Sequence, residues 1–430
     1  MTALLVRGGK RLTGRVEPSA NKNAVLPVLC ATLLSDGPIT LRNVPEITDV
    51  LRIVDFFGEL GSTVSWDKEA KPLEIDHSTI SPSAKATLPQ AMRASIMMIP
   101  GLLVRLGEAR LEHEVKGCTL GAREIDPHVA VFRAFGAEVG QAGHEIVFSV
   151  TGKGQATRMW LEYASVTTTE NFILSALTVK GTSQIVNAAC EPHVQEMCTF
   201  LELLGAKIVG KGTSMVSIEG GTRLGGGDYT FSDDFHEVAT FLALAAVTGG
   251  DIQVRNDHPE HFDLIDCTFG KFGAHVTHEG GWSRLDAPSG LKVEENFTSH
   301  LITKVEAAPW PYIPADLLPI FIALGVRAEG ETMFWNKVYE GGLTWHTELS
   351  LFGAHTLLCD PHRLITFGGD ELAPGTVTSP YIIRVAIALL MVASSIDGES
   401  TILDADPIRR AHPGFVDNFV SLGAEVQWVS

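Results

Sequence analysis

One phrase, repeated along the chain, constrains the fold more than any other feature. A helix-like apolar run reaches Leu or Phe, then Gly, a small residue and a β-prone segment. It occurs as Phe57-Gly-Glu-Leu-Gly61-Ser-Thr-Val and as Phe132-Arg-Ala-Phe-Gly136-Ala-Glu-Val. It returns as Leu201-Glu-Leu-Leu-Gly205-Ala-Lys-Ile, Phe269-Gly-Lys-Phe-Gly273-Ala-His-Val, Leu349-Ser-Leu-Phe-Gly353-Ala-His-Thr and Phe419-Val-Ser-Leu-Gly423-Ala-Glu-Val. Successive named glycines are 75, 69, 68, 80 and 70 residues apart. Such a phrase reads as a helix ended by a glycine in the left-handed conformation, feeding directly into a strand. Each unit holds a second helical run, such as Asn23 to Leu34, Ala91 to Leu106 or Glu170 to Leu177, and turn-punctuated strands such as Ile39 to Val44 and Thr182 to Asn187. Units of about 70 residues are too long for solenoid repeats and too short for independent domains. Three per domain in two domains is the packing they suggest, and 430 residues is long enough for both. The glycine-rich run Gly225 to Gly227 falls near the midpoint and reads either as a crossing between domains or as a tight turn. No helix-opening Lys or Ser/Thr follows it, so it is not a P-loop.

Charge and cysteine content narrow the function classes. Lys and Arg number 33 against 51 Asp and Glu, a net charge of −18. That balance opposes non-specific binding to nucleic acid or to an anionic membrane surface, while leaving room for a local basic pocket. The six cysteines, Cys30, Cys118, Cys190, Cys198, Cys267 and Cys359, contain no CxxC pair, which argues against a zinc ribbon or a disulfide scaffold. Met1 to Val16 lacks an apolar signal-peptide region, and the apolar stretch Tyr381 to Ala393 is too short to span a bilayer and carries Arg384. A cytoplasmic protein is expected.

Several segments carry residues suited to chemistry. In Lys116-Gly117-Cys118-Thr119-Leu120-Gly121-Ala122-Arg123 a cysteine sits between glycines with a cation on each side, a setting that favours the thiolate. The other five cysteines lie in mostly apolar context and read as inert. Ser19-Ala20-Asn21-Lys22-Asn23-Ala24 opens an apolar helical run. It suits either an anion site at a helix N-terminus or an ordinary Asn cap with a solvated Lys. Ala308-Pro309-Trp310-Pro311-Tyr312-Ile313-Pro314-Ala315-Asp316 is a proline-stiffened loop that can fix Asp316 as a general base, or else make it the cap of the apolar run after it. Arg93, Arg384 and Arg410 lie in or beside apolar sequence in separate repeats, which suggests a shared anion site. His113, His128, His193, His236 and His275 show no metal-ligand spacing, so no metal site is expected.

Taken together these motifs resemble the enolpyruvyl transferases over essentially the whole chain. The resemblance rests on Lys22-Asn23, Met92-Arg93-Ala94-Ser95, the cysteine loop Gly117 to Arg123, Ser165-Val166 followed by Thr168-Thr169-Glu170-Asn171, Asn187-Ala188-Ala189-x-Glu191-Pro192, Pro311-x-x-Pro314-x-Asp316, Arg384 and Arg410. It implies an α/β fold of two inverse α/β-barrel-like domains, each of three repeated units, with the chain crossing between them twice. The domains would be residues 22–228, carrying the Cys118 loop, and residues 1–21 plus 229–430. It also implies transfer of the enolpyruvyl group of phosphoenolpyruvate to a hydroxyl of UDP-N-acetylglucosamine with release of phosphate, for peptidoglycan precursor synthesis, with no metal or organic cofactor. Cys118 would attack or protonate phosphoenolpyruvate and Asp316 would take the acceptor's proton. Lys22, Arg123 and Arg410 would hold phosphate, while Arg384 and Arg93 would serve the carboxylate or close the site. Asn23, Asp126, His128, Ser165, Val166 and Lys337 would contact substrate. Departures from the pattern are Thr48 for a Lys, Thr167 for a Gly, Phe235 for an Arg, Lys337 for an Arg, Ile382 for an Asp, and a longer Val338 to Thr347 segment. They leave open another uridine nucleotide or sugar as acceptor, or a non-catalytic UDP-sugar-binding paralogue.

Overall fold

The computed structural model describes residues 2–66, 72–90, 92–112, 124–150, 152–287, 290–298 and 300–429. They form two compact units, one running from Ala20 to Phe231 and the other made of the chain up to Ser19 and again from Ser232 onward.

The repeated glycines do what the phrase predicts. All six have φ between +71° and +106°, the left-handed region that a residue with a Cβ enters only at a cost. Each ends a helix and is followed within a few residues by a strand: Thr63–Trp66, Ala137–Ala142, Lys207–Val209, Val276–Glu279, His355–Asp360 and Glu425–Val429.

Each repeat contributes one sheet, three to a unit among the described residues. Five of the sheets share one plan: an edge strand parallel to its neighbour, then two antiparallel pairings. In the unit built around the C-terminal half, Thr303–Ala307 runs parallel to Gly330–Asn336, which pairs antiparallel with Arg363–Gly368 and through it with His355–Asp360. The helix Leu318–Arg327 makes the crossover that a parallel pair requires. The other unit repeats the plan with Arg158–Trp160 parallel to Gly181–Val186, and with Gly227–Thr230 parallel to Ile39–Arg42. The sixth sheet, Glu108–Glu112, Glu145–Val150 and Ala137–Ala142, keeps a single parallel bridge, Thr87 to Arg110, where the others have an edge strand. N-terminal segments complete two sheets: Ala3–Gly8 lies between Gly398–Leu403 and Glu425–Val429, and Thr13–Val16 flanks Asp251–Arg255.

The second helix of each repeat is apolar all round and becomes the interior. Phe235–Thr248, Leu318–Arg327 and Ile383–Ser394 are buried over almost their whole length and pack against one another. Lys22–Thr32 and Val166–Leu177 play that part in the other unit, joined by the buried first half of Ile99–Leu106. The sheets cover these helices with one face and turn the other to water, as their alternating burial shows. Helices inside and sheets outside is the inverse α/β arrangement, without a continuous hydrogen-bonded barrel among the described residues. Close approach of sheet to helix end requires glycine in places. A Cβ on Gly220 would stand 2.0 Å from the Ala176 carbonyl oxygen, and one on Gly368 would stand 2.2 Å from that of Gly325.

One expectation changes and one open alternative is decided. The Ala91 to Leu106 run is not one helix: Arg93–Met98 is a 3₁₀ turn and Ile99–Leu106 the α-helix. Pro100 offers no N–H to the preceding turn and is accommodated only at a helix start, which divides the run there. The Gly225 to Gly227 run packs against Gly37 and Pro38, where a Cβ on Gly226 would meet the Pro38 carbonyl oxygen at 2.3 Å. It is a tight approach inside one unit, and the unit's boundary falls beyond it, after Phe231. Among the described residues no helix is long and apolar enough to cross a membrane.

Candidate active site

In the Ala20–Phe231 unit, Asn21 caps the helix Lys22–Thr32, its Oδ1 accepting from the Asn23 N–H at 3.0 Å. The cap fixes Lys22 at the first helical position, half-buried, with its Nζ 2.7 Å from Asp49 Oδ2. Lys22 is therefore an ion-paired ammonium at a helix N-terminus rather than a solvated one. Asp49 sits in the first turn of Thr48–Leu60, whose dipole favours a carboxylate there. Asn23 is half-buried beside Lys22.

Ser165 caps Val166–Leu177 by the same device, its hydroxyl 2.8 Å from Thr168 Oγ1 and accepting from the Thr168 N–H. The helix Asp126–Ala134 brings His128 under this cap. His128 Nδ1 faces Asn171 Nδ2 at 2.9 Å and its Nε2 faces Thr167 Oγ1 at 3.4 Å. Burial, with a smaller contribution from the Arg93 charge, pushes the His128 imidazole down to about 3. His128 is thus a neutral, buried brace between two helices, while Asp126 is exposed at the N-terminus of its own helix. Arg93 opens the 3₁₀ turn close enough for its charge to act on His128. Cys118 and Arg123, with Lys116, lie outside the described residues.

In the other unit Asp316 and Arg384 meet. Asp316 lies inside the 3₁₀ turn Ala315–Leu317 and makes no side-chain cap, so the capping alternative fails. It lines a small open pocket with Asn336, Tyr339, Leu343, Ile382 and Arg384. The longer segment after Lys337 builds one wall: Asn336 Oδ1 accepts from the Val338 and Tyr339 N–H groups at 3.0 Å each, turning the chain so that Tyr339 and Leu343 reach the pocket. Ile382 supplies an apolar side chain next to Arg384.

Arg384 begins the interior helix Ile383–Ser394 and is buried. Its Nη2 lies 3.5 Å from Asp234 Oδ2, and its Nη1 has no hydrogen-bond partner among the described residues. Burial alone would raise the Asp234 carboxyl. The His236 hydrogen bond and the nearness of His236, Arg384 and His412 hold it well below the usual range instead. Arg410 stacks its guanidinium 5.4 Å over the Tyr381 ring, and the Tyr381 hydroxyl donates to Asp406 at 2.5 Å. Tyr381 has φ +63°, an uncommon conformation for a side-chain-bearing residue, three positions before Arg384. Lys337 does not line the pocket. Its Nζ is 2.6 Å from Glu306 Oε2 and 4.5 Å from the Trp335 ring centroid.

Three groups that spacing did not bring together, Asp234, Glu237 and His412, converge behind Arg384, with ligand-capable atoms all within 4.8 Å. The cysteines also divide differently from the sequence expectation. Cys30, Cys190 and Cys198 are buried, with burial pushing the Cys190 thiol up to about 11 and the Cys198 thiol up to about 12, but Cys267 and Cys359 are exposed. Cys267 sits beside buried Thr268 and Phe269 on its helix and Cys359 alternates with half-buried neighbours on its strand, which flanking composition does not reveal.

Residues 6–419 match the EPSP synthase (3-phosphoshikimate 1-carboxyvinyltransferase) family. A UDP-N-acetylglucosamine 1-carboxyvinyltransferase from Bradyrhizobium diazoefficiens is 36% identical over 426 residues, covering 99% of this chain and 97% of its own. One from Borreliella burgdorferi is 32% identical over 430 residues, covering 100% and 99%. Among solved structures, the enolpyruvyl transferase NikO from Streptomyces tendae superposes with a TM-score of 0.86 at 21% identity, covering 100% of this chain and 99% of its own. EPSP synthase from Acinetobacter baumannii gives 0.78 at 16%, covering all of both chains.

Proposed function

Because the chain belongs to the EPSP synthase family, we propose that it transfers the enolpyruvyl group of phosphoenolpyruvate to a hydroxyl of UDP-N-acetylglucosamine, releasing phosphate, as a cytoplasmic step of peptidoglycan precursor synthesis. Relatives bearing that activity in their names match the chain end to end at 31–36% identity. The observation in the structure that carries the reading is the pairing of a carboxylate and a buried guanidinium, Asp316 and Arg384, on one pocket. The two compact units are taken as the family's two domains.

The chemistry asks for what these residues supply. Asp316 removes the proton of the acceptor hydroxyl as its oxygen adds to C2 of phosphoenolpyruvate, and C3 gains a proton, a task assigned to Cys118. Loss of a C3 proton then restores the double bond as the C2–O bond to phosphate breaks, so the enol ether and inorganic phosphate leave in equal amounts. Cationic character develops at C2 and negative charge moves to the leaving phosphate, so fixed cations in place before reaction lower the barrier. Lys22, Arg123 and Arg410 are assigned to phosphate. Arg384, which lines the pocket with Asp316, is assigned to the carboxylate, with Arg93 supporting closure. Asn23, Ser165, Val166 and Asp126 are assigned to the acceptor side. His128 serves there through the Ser165–Thr168 turn that it braces, and Lys337 serves only by anchoring the pocket wall to Glu306.

A phosphate-release assay with phosphoenolpyruvate and a panel of acceptors tests the reading. Release with UDP-N-acetylglucosamine supports it. Release only with another uridine nucleotide, or with shikimate 3-phosphate, rejects the acceptor, and no release with any rejects the activity.

A further inference from the structure

The strand Thr376–Thr378 runs parallel to Gly398–Leu403, and the pairing ends where the Ser379 N–H donates to the Leu403 carbonyl oxygen at 3.0 Å. The turn before Arg384 and the turn before Arg410 therefore leave the sheet side by side. Arg410 stands in the last turn of the short helix Asp406–Ala411 and is exposed. Among the described residues its guanidinium makes no hydrogen bond or ion pair. What it meets is the face of Tyr381, at 5.4 Å from the ring centroid, while its neighbour Arg409 is engaged separately, 4.3 Å over the Trp428 ring.

An arginine that must receive phosphate has to be held without being neutralised. A carboxylate would hold it and then compete with the ligand. An aromatic face attracts the cation and leaves the N–H groups in the guanidinium plane free to donate. A competing carboxylate is at hand, because Asp406 lies four residues before Arg410 on one helix, the spacing at which such pairs form. Asp406 does not pair with it. Its Oδ2 accepts from the Tyr381 hydroxyl at 2.5 Å instead. One side chain thus has its ring against the cation and its hydroxyl on the acid. Tyr381 is 43% exposed, so burial in the core does not account for its placement. Its backbone is nevertheless held at φ +63°, which has a steric cost for a residue with a Cβ.

We propose that Tyr381 is a positioning residue for Arg410: its ring fixes the guanidinium and its hydroxyl engages Asp406, so that phosphate meets a cation already in place with its charge intact. Ordering a long side chain before the ligand arrives removes that cost from binding. The inference rests on the assignment of Arg410 to the phosphate of phosphoenolpyruvate.

The experiment compares Tyr381→Phe, Tyr381→Leu, Arg410→Ala and the double variant Tyr381→Leu/Arg410→Ala in the full chain. It reads kcat and both KM values by phosphate release, and inhibition by added inorganic phosphate by mass spectrometry of the nucleotide product. Phe and Leu put the same Cβ into the left-handed backbone, so comparing them isolates the ring. Tyr381→Leu is expected to raise KM for phosphoenolpyruvate and the inhibition constant for phosphate about fivefold each, with KM for the nucleotide within about twofold of wild type. Tyr381→Phe keeps the ring and frees Asp406, and is expected to raise the same two constants about twofold. Arg410→Ala is expected to raise both by more than about tenfold, and in that background Tyr381→Leu should add less than about 1.5-fold. If Tyr381→Leu does not fold, Tyr381→Asn takes its place with the same expected rises, since Asn tolerates the left-handed conformation. A Tyr381→Leu effect that persists in full without Arg410, Phe as poor as Leu, or equal rises in both KM values would each overturn the proposal. If Arg410→Ala changes neither constant, the assignment of Arg410 fails first. If it raises both while Tyr381→Leu does not, only the role of Tyr381 fails.

Discussion

Acidification should reveal His128 as a histidine that folds only in its neutral form. With Asn171 Nδ2 donating to Nδ1 at 2.9 Å, the ring carries its proton on Nε2, directed at Thr167 Oγ1. A second proton on Nδ1 would set two donors face to face in a buried site, with the Arg93 charge nearby. The folded value of about 3 lies below the ordinary 6.5, so between them the unfolded chain binds the extra proton and the folded one does not. Stability from this residue is fully present above about 6.5 and is lost as pH falls toward 3. Between pH 7 and pH 5 the loss amounts to about 2 kcal/mol. Glu170 acts in the opposite direction, because burial and then Glu191 raise its carboxyl well above the usual range, so its contribution shrinks as pH rises. The total pH curve therefore mixes the two, and the difference between wild type and His128→Gln isolates the histidine. In urea unfolding that difference should shrink by about 2 kcal/mol from pH 7 to pH 5. In the folded protein, the His128 ring resonance, assigned by its absence in the variant, should not titrate above pH 5. A stability difference independent of pH, or a resonance that titrates near 6.5, would refute the reasoning.

Asp316→Asn should lower turnover by ~10²–10⁴ while leaving nucleotide affinity unchanged; equal loss of both would make Asp316 a structural residue. Fosfomycin should alkylate Cys118 alone among the six cysteines, and faster with UDP-N-acetylglucosamine present, since a bound epoxide is held in attack geometry. Peptide mapping against iodoacetamide, which should also mark the exposed Cys267 and Cys359, checks it, and fosfomycin adducts at those two would remove the site assignment. Phe321→Ala should cost about 3–5 kcal/mol, since its buried ring packs against Phe269 at 5.2 Å and Phe272 at 6.5 Å. Denaturation should show that loss, and a cost below 1 kcal/mol would contradict the packing described.

The repeat was legible because glycine after a helix is forced by local sterics, and local sterics are written in local sequence. All six glycines took the left-handed conformation, and each repeat proved to own one sheet. Strand pairing was less accessible. That Leu4 opposes both Trp428 and Ile402 depends on contacts some 400 residues apart, which no local pattern encodes. The Ala91–Leu106 run misled because apolar periodicity continues across Pro100 although the backbone hydrogen bonding cannot. In the site, the loop that ends on Asp316 could be recognised from its prolines. What could not be read was His412 arriving against Glu237 from a distant turn, or Glu306 claiming Lys337. Both are tertiary pairings between residues whose own neighbours give no hint of them.

The central claim is that this chain joins the enolpyruvyl group of phosphoenolpyruvate to UDP-N-acetylglucosamine, and identification of the product tests it most directly. Purified protein incubated with both substrates should yield inorganic phosphate and, in equal amount, a UDP-N-acetylglucosamine enolpyruvyl ether. Mass spectrometry would identify that ether, and NMR would show its vinyl protons. Phosphate released without the ether, or an ether formed only on a different acceptor, would contradict the account.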